Sequence, residues 1–221
     1  MASTTIAAVM AAADNRALVR KVQRAVAFMA PLTVDLPDTL TSGTGQLEEL
    51  PTGWLPIGLV TPDGYTFGSD VEKEDIDALG YATPVRSDIT KVTKTIQFTA
   101  LETGRKHLQE LIYGVDLSAV TQSSTTGEVV FDEQSLPTGG EYRLLVIAAD
   151  GPADKEWLLG RGYPVVKLAS VGEEQWARDG AKQTQITLDV FTDDELGTPV
   201  RHYLGGTGAK AESTSLGYTQ A

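Results

Sequence analysis

The chain has 221 residues, 41% of them hydrophobic, which fits one β-rich domain with a sizeable core or two smaller units. It contains no cysteine, which excludes disulfides, thiolate metal sites and cysteine nucleophiles. Thirty Asp and Glu against 18 Lys and Arg give a formal net charge of -12, so the chain repels phosphate and tight sequence-specific nucleic-acid binding is not expected.

The opening stretch MASTTIAAVMAAADN is apolar, but no Lys or Arg precedes Arg16. It therefore lacks the positive start of a secretory signal, and it is too short to span a bilayer. Residues 1–17 are expected to be a flexible arm on a soluble, cytoplasmically made product. Two periods compete in ALVRKVQRAVAFMAP. A helix would align Leu18, Val22, Ala25, Val26 and Met29, whereas a strand would align Val22, Val26, Phe28 and Ala30 with Arg24 interrupting. Pro31 ends either element.

Residues 31–53 hold Pro31, Pro37, Pro51 and TSGTGQ, and are expected to be a loop long enough to need a job. WLPIGLV and YTF then flank TPDG. Pro62 presets φ and Gly64 allows a positive φ, which predicts a hairpin turn between two apolar runs. The acids Asp70, Glu72, Glu74, Asp75 and Asp77 follow, in a segment expected to be a loop. In KVTKTIQFTA, Val92, Ile96, Phe98 and Ala100 alternate with Lys91, Thr93, Thr95, Gln97 and Thr99, the period of a strand with one wet face. LETGRKHLQELIYG shifts to a helical period through Leu101, Leu108, Leu111 and Ile112, with Gly114 as the stop. GEVVF, YRLLVIAA and WLLGRGYPVVKLASV are expected strands. In KQTQITLDVF, Thr184, Ile186, Leu188 and Val190 should face inward and Gln183, Gln185, Thr187 and Asp189 outward. Residues 205–221 lack periodicity and are expected to be a loose tail. One helix among about eight strands predicts a mainly β domain over residues 18–204.

Catalytic and metal chemistry finds little footing. Only His107 and His202 titrate near neutrality, and both are expected in surface or packing roles. His107 and Glu110 have the i, i+3 spacing of di-iron bundles, but on a single helix. Counted from Asp70, an EF-hand would need Gly at the sixth position and Glu at the twelfth, where Asp75 and Tyr81 stand. GGTGAK lacks the spacing of a phosphate loop. A glycosidase-like carboxylate pair could be drawn from many acids, so none is nominated. No cofactor or metal is expected.

The ordered series GWLPIGLVTPDGYTF, the acidic stretch with IDALGYATPVR, TKTIQFTALET and HLQELIYG resembles the major tail tube proteins of long-tailed bacteriophages. The pattern is a G-x-x-x-x-DG segment, a strand running into LET, and a short helix closed by YG. VRKVQRAVAFMAP adds to the likeness, which is densest over residues 18–116 and continues in order to about residue 204. The resemblance implies two packed β-sheets with a flanking helix, six copies per ring with inner strands closing one barrel, and rings stacked into a tube. Such a tube surrounds a tape-measure protein, meets initiator and terminator proteins at its ends, and passes double-stranded DNA without binding its sequence. It resides in the virion after synthesis in the host cytoplasm, and inserts into no membrane. Some relatives carry a C-terminal immunoglobulin-like domain, for which this chain has no room after residue 204.

On that basis Asp70, Glu72, Glu74, Asp75, Asp77, Arg20 and Lys21 are candidate contacts between subunits or rings. Lys91, Thr93, Thr95, Gln97, Thr99, Gln183, Gln185, Thr187 and Asp189 are candidates to face the lumen. The 31–53 loop and the N-terminal arm are expected to reach neighbouring copies. The same residues stay compatible with a tail-completion ring or capsid decoration protein, a β-sandwich hydrolase, or a ligand-binding sandwich.

Overall fold

The computed structural model describes residues 4–174 and 176–219, so residues 1–3 of the expected arm and 220–221 of the expected tail lie outside it. In chain order the elements are α1 (Ile6–Ala13), β1 (Arg24–Pro31), β2 (Leu55–Pro56), β3 (Val60–Ile76), β4 (Arg86–Ala100), α2 (Lys106–Tyr113), β5 (Glu141–Asp150), β6 (Trp157–Val171), β7 (Thr184–Phe191), β8 (Arg201–Gly205), α3 (Thr207–Ala211) and α4 (Ser213–Leu216). The competition within residues 18–30 resolves as strand β1. Its neighbour β5 supplies a full antiparallel ladder, from Arg24 opposite Ala149 to Pro31 opposite Tyr142.

All the strands join in one antiparallel sheet of order β2-β1-β5-β6-β7-β4-β3, with β8 paired to β6 off that path. The expected two separate sheets are therefore one hydrogen-bonded sheet, and it does not close on itself in the single chain. β6 makes this possible by its length of 15 residues. Its first part pairs with β8 and its last part with β7, while β5 runs along the other side. The sheet folds over so that Ala27, Met29, Leu144 and Val146 of one half share a core with Ile96, Phe98, Ile186 and Leu188 of the other. Leu108 and Leu111 of α2 complete that core, and Gly114 ends the helix in the left-handed conformation.

β5 is buried on both faces, which is why YRLLVIAA reads as an unbroken apolar run. Leu145 and Ile147 face a second core with Ala30, Leu36, Leu40 and Trp54. The 31–53 segment thus has a job within its own chain: it covers the outer face of β1, β5 and β6, rather than waiting for a neighbour. Tyr203 Oη donates to Pro37 O at 2.6 Å and Arg201 Nη1 contacts Asp38 Oδ1 at 2.9 Å, pinning the segment to β8. The close approach explains the glycine in LLGRG: a Cβ on Gly160 would lie 2.4 Å from Leu40 Cδ1 and 3.0 Å from Tyr203 Cδ2.

Three local expectations are overturned. Residues 61–64 are not a hairpin turn. Val60 pairs with Ala100 and Tyr65 with Phe98, so TPDG bulges out of an edge strand opposite Thr99, with Gly64 at φ 71°. A bulge and a turn ask for the same residues, and only the distant partner distinguishes them. GEVVF is no strand: Val129 and Val130 are exposed, while Phe131 packs its ring 5.6 Å from that of Tyr113. The acidic segment is no loop either, since it forms the outer half of β3. At the ends of the chain, α1 buries none of its residues, whereas α3 buries Gly208 and Ala209.

Candidate functional site

β3 and β4 run beyond the body of the domain as a two-stranded arm. Tyr65, Phe67, Phe98 and Ile96 anchor its root in the core. Further out Asp70 stands opposite Thr93, Val71 opposite Val92 and Glu72 opposite Lys91; after a bulge, Lys73 faces Ile89 and Ile76 faces Arg86. Side chains alternate along a strand, so the arm has two unlike faces. One continues the core face through Val71, Val92 and Ile89, all exposed. The other carries Asp70, Glu72, Glu74, Asp88, Lys91 and Thr93. Lys91 Nζ meets Glu72 Oε1 at 3.1 Å, and Arg86 Nε meets Asp88 Oδ2 at 2.7 Å. Pairs this exposed contribute at most about 1 kcal/mol each. The arm is held by its backbone ladder.

The charged face is continuous with a polar face on the body. Thr95, Gln97 and Thr99 of β4 lie opposite Asp189, Thr187 and Gln185 of β7. Gln97 Nε2 donates to Thr187 Oγ1 at 3.3 Å. The sequence placed these residues in two sets, a lumen wall and an interface; β3 pairing with β4 brings Asp70, Glu72 and Glu74 onto the same polar face as Thr93, Thr95 and Gln97. Gln183 precedes β7 and is exposed in the connecting segment, and Asp77 lies just past the end of β3. Asp75 belongs to the opposite face, with Lys73. Arg20 and Lys21 do not join the acids. Arg20 Nη1 lies 3.5 Å from Asp150 Oδ2 with its guanidinium 4.4 Å from the Trp157 ring centroid, and the Lys21 amide donates to the same Asp150 oxygen at 3.2 Å.

No family model matches the chain, and no curated protein matches it. Among solved structures it is similar to a chain of the anti-feeding prophage cap (AFP tube terminating cap), with a TM-score of 0.42 and 11% identity, covering 86% of this chain and 95% of that one. A chain from the virion of a native gene transfer agent particle is similar at a TM-score of 0.35 and 8% identity, covering 74% and 98%.

A cleft of about 460 Å³ opens where the bulge in β3 faces β5, β6 and β8, between Tyr65 and Phe67 on one side and Val146, Leu159 and Tyr203 on the other. Asp63, Arg161 and His202 stand in its lining. Burial pushes the Tyr65 hydroxyl up to about 12; the Ala27 backbone pulls weakly the other way without meeting hydrogen-bond geometry, so the buried oxygen has no partner. The sequence gives no warning of this cleft, because its walls come from five strands far apart in the chain. Among the described residues, no three acids or histidines converge to hold a metal ion.

His107 packs at the end of β2: its Nε2 lies 2.9 Å from Pro56 O, tying α2 to β2. Burial, aided by the Arg105 charge, holds its pKa below the ordinary histidine range against the pull of the Pro56 carbonyl and Glu110. His202 is shifted the same way, first by burial and then by Arg161 and Lys94. A histidine depressed in the folded state leaves stability intact above its unfolded pKa of about 6.5, and stability falls as pH drops through the folded value. Urea midpoints should therefore decline from about pH 6.5 downward, and His107→Gln should flatten that decline. An unchanged slope in the variant would remove His107 from the account.

Proposed function

We propose that this protein is a structural virion component that polymerises into stacked six-membered rings, forming a tail tube around a tape-measure protein and between initiator and terminator proteins. The observation that carries this reading is β3, a 17-residue edge strand whose outer side has no strand partner among the described residues and whose outer half is paired with β4 alone. A long open edge invites strand addition, and a solitary protein blunts or covers such an edge. Ring closure, with β3 of one copy adding to the sheet of the next, removes the liability and turns the open sheet into part of a barrel. The order of segments that resembles tail tube proteins supports the same assembly.

On this reading the polar face of β3, β4 and β7 is the lumen wall. Hydroxyls and amides keep it wet, and Asp70, Glu72 and Asp189 repel the phosphates of passing double-stranded DNA, which slides without binding. Electron microscopy over a concentration series tests the proposal, with hollow tubes or six-fold rings expected. A stable monomer that keeps a small molecule in the cleft through purification would sink it. The acids of the arm are expected to contact neighbouring copies, so Glu72→Gln, Glu74→Gln, Asp75→Asn and Asp77→Asn together should hinder stacking and weaken its salt dependence. Tube formation by that variant at wild-type concentration and salt would clear the acids of any such part.

A further inference from the structure

The arm ends in a tip that nothing in the chain explains. Leu79 is fully exposed and Tyr81 is 71% exposed, although both are large and apolar. The tip is nonetheless ordered, by Val85 N donating to Ile76 O at 2.9 Å and Tyr81 N to Ala78 O at 3.2 Å. Asp75 and Asp77 flank it, so it presents an apolar knob beside negative charge.

The cleft at the root of β3 is its chemical complement. Its walls are aromatic and aliphatic, and its rim carries Arg161 beside His202, cross-strand neighbours on β6 and β8. Arg161 lies 4.1 Å above the Phe67 ring. Among the described residues no carboxylate comes within ion-pair distance of it. Lys94 likewise has only a hydroxyl, Ser69 Oγ at 3.4 Å. Asp63, at the outer lip, is the one acid in the lining.

We propose that the arm tip of one copy seats in this cleft of the next, with Leu79 and Tyr81 between the apolar walls and Asp77 against Arg161. The proposal rests on the tube reading above and names the receptor for the arm. Tip and cleft lie at opposite ends of one extended strand. From Tyr65, just past the bulge, to Ile76 that strand spans roughly 36 Å at about 3.3 Å per residue, so no chain can fill its own cleft. A contact between two different patches is head-to-tail and propagates without closing on a pair. Stacked rings need such a contact along the axis.

The chain's lack of cysteine makes the test direct. Two single variants, Leu79→Cys and Asp63→Cys, are mixed under assembly conditions and treated with a short bismaleimide. A covalent dimer holding one of each is expected, and none from Leu79→Cys mixed with Leu136→Cys, an exposed position outside the cleft. Arg161→Glu should raise the critical concentration for assembly by about tenfold or more, the scale of an anchor lost from an interface centre, and Asp77→Arg in the same chain should restore it. Assembly that proceeds without the Leu79–Asp63 cross-link overturns the docking and leaves the tube reading standing. An unmodified chain that stays monomeric and keeps a small molecule in the cleft through purification overturns both.

Discussion

Replacing residues 73–90 by Asn-Gly, so that Glu72 runs through a two-residue turn into Lys91, is expected to leave a folded chain that no longer polymerises. Glu72 and Lys91 are the last ladder pair before the bulge in the arm, so the register of the body is preserved. Asn-Gly supplies the two positive-φ positions that a tight antiparallel turn requires. None of the excised residues is buried, and a shorter connection lowers the entropy of closing the β3–β4 loop. Stability should change by under about 1 kcal/mol, as for surface changes generally. Assembly should be lost, because the tip goes together with Ile89, leaving only Val71 and Val92 of the apolar face. Matching urea midpoints with no sedimenting polymer is the expected pair of results. Polymer of normal yield from the shortened chain would move the subunit contacts elsewhere.

That separation between a stable body and an idle arm was only partly legible in the sequence. The faces of β4 and β7 were, because Ile96, Phe98, Ile186 and Leu188 alternate with polar residues over a full strand. So was α2, whose leucines shift to helical spacing just before Gly114. What escaped the sequence were features fixed by distant partners. TPDG has every local mark of a turn, and only the pairing of Val60 with Ala100 makes it a bulge. Leu36, Leu40 and Trp54 sit among prolines and glycines with no period, so nothing local shows that they fill a second core. The acidic run is poor in strand formers, and its partner SDIT offers one large apolar residue, Ile89. The ladder therefore extends the arm through residues that would not form a strand alone. Arg161 and His202 become neighbours only when β8 pairs with β6.

Phe98→Ala should be the most damaging single substitution considered, and Val92→Ala on the same strand face nearly silent. Both side chains point to one side of β4, yet Phe98 is 2% exposed and Val92 is 48% exposed. Phe98 sits between β3 and β7, opposite Tyr65 and Ile186, with its ring 5.7 Å from that of Tyr65. Its truncation removes a ring from a core that cannot collapse around the gap, at about 3–5 kcal/mol, a large share of a domain's total of about 5–15 kcal/mol. Val92→Ala trims a side chain that touches water in the isolated chain, so the monomer should move by about 0.5 kcal/mol or less. The contrast sharpens with Val92→Asp. The monomer again tolerates the change, but the apolar face offered to a neighbour acquires a charge that burial would strand, and assembly should fail. Urea titration of all three variants, with sedimentation beside it, separates the two fates of one strand face. If Val92→Asp unfolds the monomer as Phe98→Ala does, the body extends further along the arm than its exposure indicates. If Val92→Asp assembles normally, that face meets water in the tube as well.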